Sequence, residues 1–371
     1  MLVCGLLVGS GAHGWAKEKP KEKCTVAALA AELNAGGESD SALAARLDGL
    51  ELTERMSAGV REKLTAALPG EKSRQALTML ADAASFLEPP DAEIDALSTP
   101  DAAATRQMLE RVVGYVNTTL RQLPNFLVTK QTARFEDRPA GTELQATGLV
   151  SFSAQPMHWI GQSSLTLTYR DHHEVIDEHW TRVLAQTGAG LATSGEFGGV
   201  LITVVADALK GHITWARWEK SVGGDRAVFH YEVPEERSNY RVKFCCVVDG
   251  YAADGTPQQV LFDERAKYQG EIAFDPKDGT IWWMTLNAEL PPRELVPAAA
   301  MLVEYAPVEI GGRSYMCPRH SVSRLVAHTA QQSNTQSRSN YQGPLKTFLN
   351  DVEFSGYKRF GSEMRIVPGG A

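Results

Sequence analysis

The sequence predicts an α+β protein, an N-terminal helical segment followed by a large, curved, unclosed antiparallel β-sheet. Three observations predict it. Apolar residues recur at intervals of three and four from about residue 25 to 122. From Leu123-Pro124 onward the period is mostly two. The strands of that second region are joined by short turns, which imply antiparallel pairing because a parallel pair needs a longer crossover. One extended, strongly curved sheet accommodates so many consecutive strands.

The helical segment opens on Val26, Leu29, Ala30 and Leu33, a stripe that Asn34-Ala-Gly-Gly37 stops. Leu43, Leu47, Leu50 and Leu52 continue it less regularly, and Val60, Leu64, Ala67 and Leu68 restore the spacing before Leu68-Pro69-Gly70 breaks it. Ser73 to Leu87 reads as a further helix, ended by Glu88-Pro89-Pro90. Asp91 to Pro100 reads as a linker. Asp101 then sits at the positive end of a helix whose stripe is Met108, Val112, Tyr115, Val116 and Leu120. These Ala- and Leu-rich helices need a partner surface for their apolar faces.

In the β region, Phe126 to Phe135 is the first strand, with Val128, Lys130, Thr132 and Arg134 on one face. Strands follow at 163–169 and 174–177, with Asp171-His172-His173 as the turn between them. Thr193-Ser-Gly-Glu196 reads as a capping box opening a short helix that ends near Lys210-Gly211. Strands then resume at 212–219, 227–233, 240–248, 260–262, 268–274, 280–290, 301–305, 308–310, 313–317 and 321–328. Asp275-Pro-Lys-Asp-Gly279 carries the residues of a tight turn. Thr329 to Lys346 is rich in Gln, Ser and Asn and is expected to project as a loop, and the last strand lies within 348–367.

The chain has 371 residues, 43% hydrophobic and 22% charged, the composition of a globular protein. A formal net charge of -8 speaks against general nucleic-acid binding, which needs clustered Lys and Arg. Leu2 to Gly9 is a short apolar run, followed by Gly14-Trp15-Ala16 with small residues where a signal peptidase inspects the chain. No Lys or Arg precedes the run; the alternative is an ordinary N-terminal tail. The run is too short for a bilayer and no later run is apolar enough, so no transmembrane span is expected. The organisation read from these features is a signal peptide at 1–16, a charged linker at 17–24, a helical segment at 25–122 and an antiparallel β domain at 123–371. The expected location is periplasmic or extracellular.

Cleavage after Ala16 leaves Cys24, Cys245, Cys246 and Cys317. Cys245 and Cys246 are adjacent on a strand and point to opposite faces. Two readings stay open: a disulfide from Cys245 or Cys246 to Cys317, or free buried thiols.

Three stretches carry a resemblance. They are Tyr268-Gln-Gly-Glu-Ile-Ala-Phe-Asp-Pro-Lys-Asp-Gly-Thr-Ile-Trp282, the run from Val303 to Tyr315, and the run from Leu349 to Glu363. Together they resemble exported bacterial proteins of uncharacterised function, whose β region is similar to the lipoprotein-carrier and lipoprotein-receptor family. The resemblance covers residues from about 125 to 370. It implies an unclosed antiparallel half-barrel around a lipid-accepting cavity, lidded by helices, and no site residue follows from it.

No catalytic constellation stands out. Asp171-His172-His173 matches a short phosphoesterase motif without that motif's parallel architecture, so a polar turn is the plainer reading. His172, His173 and His179 fit no metal-site spacing, and neither metal nor cofactor is expected. Ser194 lacks the Gly-x-Ser-x-Gly frame of a nucleophile elbow. Adjacent Trp282 and Trp283 are expected on opposite faces of their strand, one in the core and the other lining a ligand cavity or lying under the helical segment. The leading functional expectation is a non-enzymatic envelope protein that binds a lipid or other apolar ligand, or docks an envelope protein partner. The alternatives are an interaction or structural module whose own helices fill the sheet, and a metal-dependent hydrolase using the His172/His173 region.

Overall fold

The computed structural model describes residues 21–138, 141–145, 148–152, 155–175, 191, 193–221, 223–251, 257–292, 294–328, 331–334, 339–342 and 344–360. The expected signal sequence and His179 lie outside them. The N-terminal layer contains β1 (Glu22–Cys24), α1 (Val26–Ala35), α2 (Asp40–Asp48), β2 (Leu50–Leu52), α3 (Ala58–Ala67) and α4 (Glu71–Ala83). Leu50 and Leu52 are therefore in a strand, not on a helical stripe, and pair in parallel with Glu22 and Cys24. Thr25 Oγ1 accepts from Ala28 N and Ser39 Oγ from Ala42 N, capping α1 and α2. Leu29, Leu47, Leu64, Leu77 and Leu80 are the centre of a small core that this layer builds for itself.

The chain continues through β3 (Ile94–Asp95) and α5 (Ala102–Thr119) into β4 (Phe126–Arg138), β5 (Gly141–Gln145), β6 (Gly148–Phe152), β7 (Gln155–Arg170) and β8 (His173–Val175). Next come α6 (Gly199–Ala208), β9 (His212–Glu219), β10 (Arg226–Val233), β11 (Arg241–Tyr251), β12 (Pro257–Arg265), β13 (Lys267–Phe274), β14 (Ile281–Glu289), β15 (Ala298–Ile310) and β16 (Arg313–His328). β17 (Gln331–Asn334), β18 (Ser339–Gln342) and β19 (Leu345–Arg359) complete it. Eleven strands form one open antiparallel sheet in the order β3-β9-β10-β13-β14-β15-β16-β19-β4-β7-β8. The last strand thus sits in the interior, between β16 and β4.

Both faces of the sheet are covered. On one, α4 lays Met79 against Phe135, Val228, Ala273, Trp283, Leu302, Val322 and Leu349. On the other, Met108, Val112 and Val116 of α5 and Leu201, Val204 and Val205 of α6 pack on Phe126, Phe229, Phe274, Ile281 and Met284. Val242, Phe244 and Phe262 of the β11–β12 hairpin join that second core. The helical turn after α5 ends at Gln122 and β4 begins at Phe126, and the second core is shared across this point. β3, from the segment read as a linker, pairs with β9 at the sheet edge.

Other local departures have plain causes. The segment 329–346, expected to project as a loop, contains the β17–β18 hairpin and the first residues of β19. The capping box at Thr193 does not open a helix. Glu196 is instead held by Lys130 and Thr193, and α6 begins after Gly198, whose φ of 119° a side chain would resist. Asp171 and His172 have φ of 52° and 67° and form the two-residue turn between β7 and β8, the type I′ geometry that suits the strand twist.

Candidate functional site

A cavity of about 290 Å³ lies where the N-terminal helices meet the sheet, walled in part by Arg55, Arg61, Asp82, Glu219, Trp283 and His320. Each charged residue is brought there by its element. Asp82 is on the sheet-facing side of α4, beside Met79. Glu304, His320 and Asp351 lie on neighbouring β15, β16 and β19, where Glu304 is directly opposite His320 in register and Val322 opposite Asp351. Arg61 reaches in from α3.

The five groups form one network, with Asp82, His320 and Asp351 buried and Arg61 and Glu304 partly so. His320 Nδ1 is 2.8 Å from Glu304 Oε2 and its Nε2 is 2.9 Å from Asp351 Oδ2. Arg61 Nη1 donates toward Asp82 Oδ1 at 3.5 Å and Asp351 Oδ2 at 3.4 Å, and lies 2.7 Å from His320 Nε2. Asp82 Oδ2 is buried without a hydrogen-bond partner. Burial and the Arg61 charge push His320 toward neutrality, but Asp351 and Glu304 outweigh them and raise the imidazole to about 9. Burial would raise Glu304, yet the bond to His320 and the His320 and Arg61 charges hold it down at about 2. Asp82 goes the other way: burial, then the Asp351 charge, lift its carboxyl well above the usual range.

Beside this network Arg55 stacks over Trp283 at 4.1 Å from the ring centroid and pairs with Glu219 at 2.9 Å. Arg217 joins Glu219 to Glu271. Arg226 lies 4.5 Å over the Trp282 ring with its Nε buried and unpartnered. Trp282 and Trp283 therefore face the same side, contrary to the alternation expected of adjacent strand residues. The register explains it: Ala273 pairs with Trp283 and Phe274 with Ile281, so Trp282 is the extra residue of a β-bulge. Both tryptophans are under cations on the helix-covered face, and Trp283 is in the cavity wall.

A second buried pair occupies the opposite face. Lys130 Nζ donates to Glu196 Oε1 at 2.8 Å and to the Thr193 carbonyl at 2.7 Å. Glu174 accepts from the backbone of Gly195 and Phe197, fixing the turn into α6. Lys130 and its charge hold Glu196 low despite burial, while burial and Glu196 raise Glu174.

Among the other sequence-selected residues, Cys317 is a free, fully buried thiol, raised to about 12 by desolvation. Of the two open readings, a disulfide to Cys317 or a free buried thiol, Cys317 follows the second. Cys317 is in the main sheet opposite Ala306, whereas Cys245 and Cys246 belong to β11 of the smaller sheet. His173 Nδ1 lies 2.6 Å from the Asp171 carbonyl in its exposed turn. Among the described residues, the one group with metal-ligand proximity is Asp82, His320 and Asp351, not the histidines of that turn. Sequence reading passed over this cluster because its members are far apart: Arg61 and His320 are separated by 259 positions. The period-two pattern does place His320 and Val322 on one face, and a His and an Asp on core-facing positions of strands is the signal that was there to use. No protein-family model, no curated protein and no solved structure matches the chain.

Proposed function

We propose that the protein is an exported, non-enzymatic interaction or structural module whose open sheet is filled by its own elements. One observation carries the reading. In the core between the sheet and helices α5 and α6, the cavity lined by apolar side chains holds about 20 Å³, whereas a site for a drug-sized ligand needs roughly 300 Å³ or more. The helices and the β11–β12 hairpin take the place that an acyl chain would occupy in a carrier. Export rests on the apolar run of residues 2–9 and on Gly14-Trp15-Ala16.

The cavity between the N-terminal helices and the sheet favours the same reading over lipid carriage. Its wall holds Arg55, Arg61, Asp82, Glu219 and His320, groups whose desolvation by an alkyl chain is unfavourable. Native mass spectrometry of protein taken from its producing cell tests the proposal. The expected result is a mass without bound lipid and no displaceable binding of a long-chain fluorescent probe. Stoichiometric lipid, displaced by the probe, would replace this reading with the carrier one.

A further inference from the structure

We propose that Asp82, His320 and Asp351 form a divalent transition-metal site that clamps α4 to the sheet. This goes beyond the module reading and does not depend on it. The three residues come from α4, β16 and β19, and a ligand atom of each lies within 4.8 Å of the others. His320 Nε2 and Asp351 Oδ2 are already 2.9 Å apart, about the edge of an octahedron with ~2.1 Å bonds. Asp82 brings a second, independent indication. Its side chain is 1% exposed, yet Oδ2 has no partner, which is unfavourable for so deeply buried an oxygen.

The surroundings are those of a built site. Glu304 holds His320 Nδ1 at 2.8 Å, the carboxylate–histidine arrangement that fixes a metal-binding imidazole and turns its other nitrogen toward the ion. Arg61 Nη1 stands amid the ligand atoms, 2.7 Å from His320 Nε2, 3.4 Å from Asp351 and 3.5 Å from Asp82. A positive group therefore occupies the place of the ion, and a bound ion would displace it toward the cavity it also lines. One nitrogen and two carboxylate donors without thiolate suit Mn²⁺, Fe²⁺ or Zn²⁺ better than Ca²⁺ or Cu⁺. The cavity gives the ion an entry path and room for water.

The test uses the full chain, stripped with chelator and titrated with Mn²⁺ and with Zn²⁺. One equivalent should bind and the thermal midpoint should rise, since an ion held only by the native state stabilises it. Asp82→Asn, nearly isosteric, and His320→Ala should each weaken binding by about tenfold or more. Arg61→Met should tighten it, because the competing cation is gone. That last result separates a metal site from a purely structural ion-pair network, in which Arg61→Met only destabilises. If wild type and Arg61→Met both fail to bind at millimolar ion, or if Asp82→Asn binds as wild type does, the proposal falls. Should His320→Ala not fold, Asp82→Asn and Arg61→Met decide the matter.

Discussion

Lys130 and Glu196 are both almost wholly removed from water and, among the described residues, neither forms another ion pair. Replacing Lys130 with Met leaves a buried carboxylate uncompensated, which should lower stability by about 3–5 kcal/mol. The wild-type pair has a predictable pH dependence. Glu196 is depressed in the folded state, so its stabilisation is present above its unfolded value near 4.5 and is lost as pH falls through the folded one. Denaturant midpoints between pH 7 and 3 should therefore fall at the acid end in wild type, and less in Lys130→Met. A second residue-scale expectation concerns Tyr231, whose buried hydroxyl donates to the Thr285 carbonyl at 2.6 Å across Gly270. Tyr231→Phe should cost about 1 kcal/mol in equilibrium unfolding. Gly270→Ala should cost more, because its Cβ would come 2.1 Å from that same carbonyl oxygen. Close backbone approaches of this kind are invisible in a sequence, where Gly270 is one glycine among 32.

At the scale of elements, what the sequence made legible was local. The stripe Val26, Leu29, Leu33 is α1, and Asp101 does cap α5, its Oδ1 accepting from Ala104 N at 2.8 Å. Asp101→Ala should cost about 1 kcal/mol, measured by thermal or urea unfolding. The turn at Asp275 to Gly279 is present, with Gly279 at φ 80° and the Lys277 amide bonded to Asp275 Oδ1. What remained illegible was set by partners distant in sequence. Glu196, in a good capping pattern, is drawn to Lys130. Trp282 is bulged because of its pairing with β13. The start of α4 takes its cap from the start of α2: Asp40 accepts from the backbone of Lys72 and Ser73 and from the Ser73 hydroxyl. A Cβ on Gly70 would lie 2.5 Å from that carboxylate carbon. Gly70→Ala should therefore displace Asp40 and lower the melting temperature, and Asp40→Ala combined with it should add little further loss, since both break the same contact.

On the scale of the whole molecule, the antiparallel, unclosed sheet follows from period-two strands and short turns, and that much the residues state openly. The strand order does not follow, because periodicity says which residues share a face and not which strand lies next to which. β4, β7 and β8 form one flank, β3, β9, β10 and β13 to β16 the other, and β19 alone joins them through its pairs with β16 and β4. A chain ending at residue 344 should consequently sediment as aggregate or bind a hydrophobic dye, while the full chain stays monodisperse. The arrangement also fixes a timetable. Synthesis runs from the first residue to the last at about 5–20 residues per second. Between the completion of β4 at Arg138 and the arrival of β19 at Leu345, roughly 10–40 s pass at that rate. Throughout that interval β4 waits with an unpaired edge, joined over the last stretch of the wait by that of β16, complete at His328, and no amount of correct folding upstream can seal them. The nascent sheet is thus held unfinished until β19 is delivered, and until then its two waiting edges are open to any extended segment that meets them.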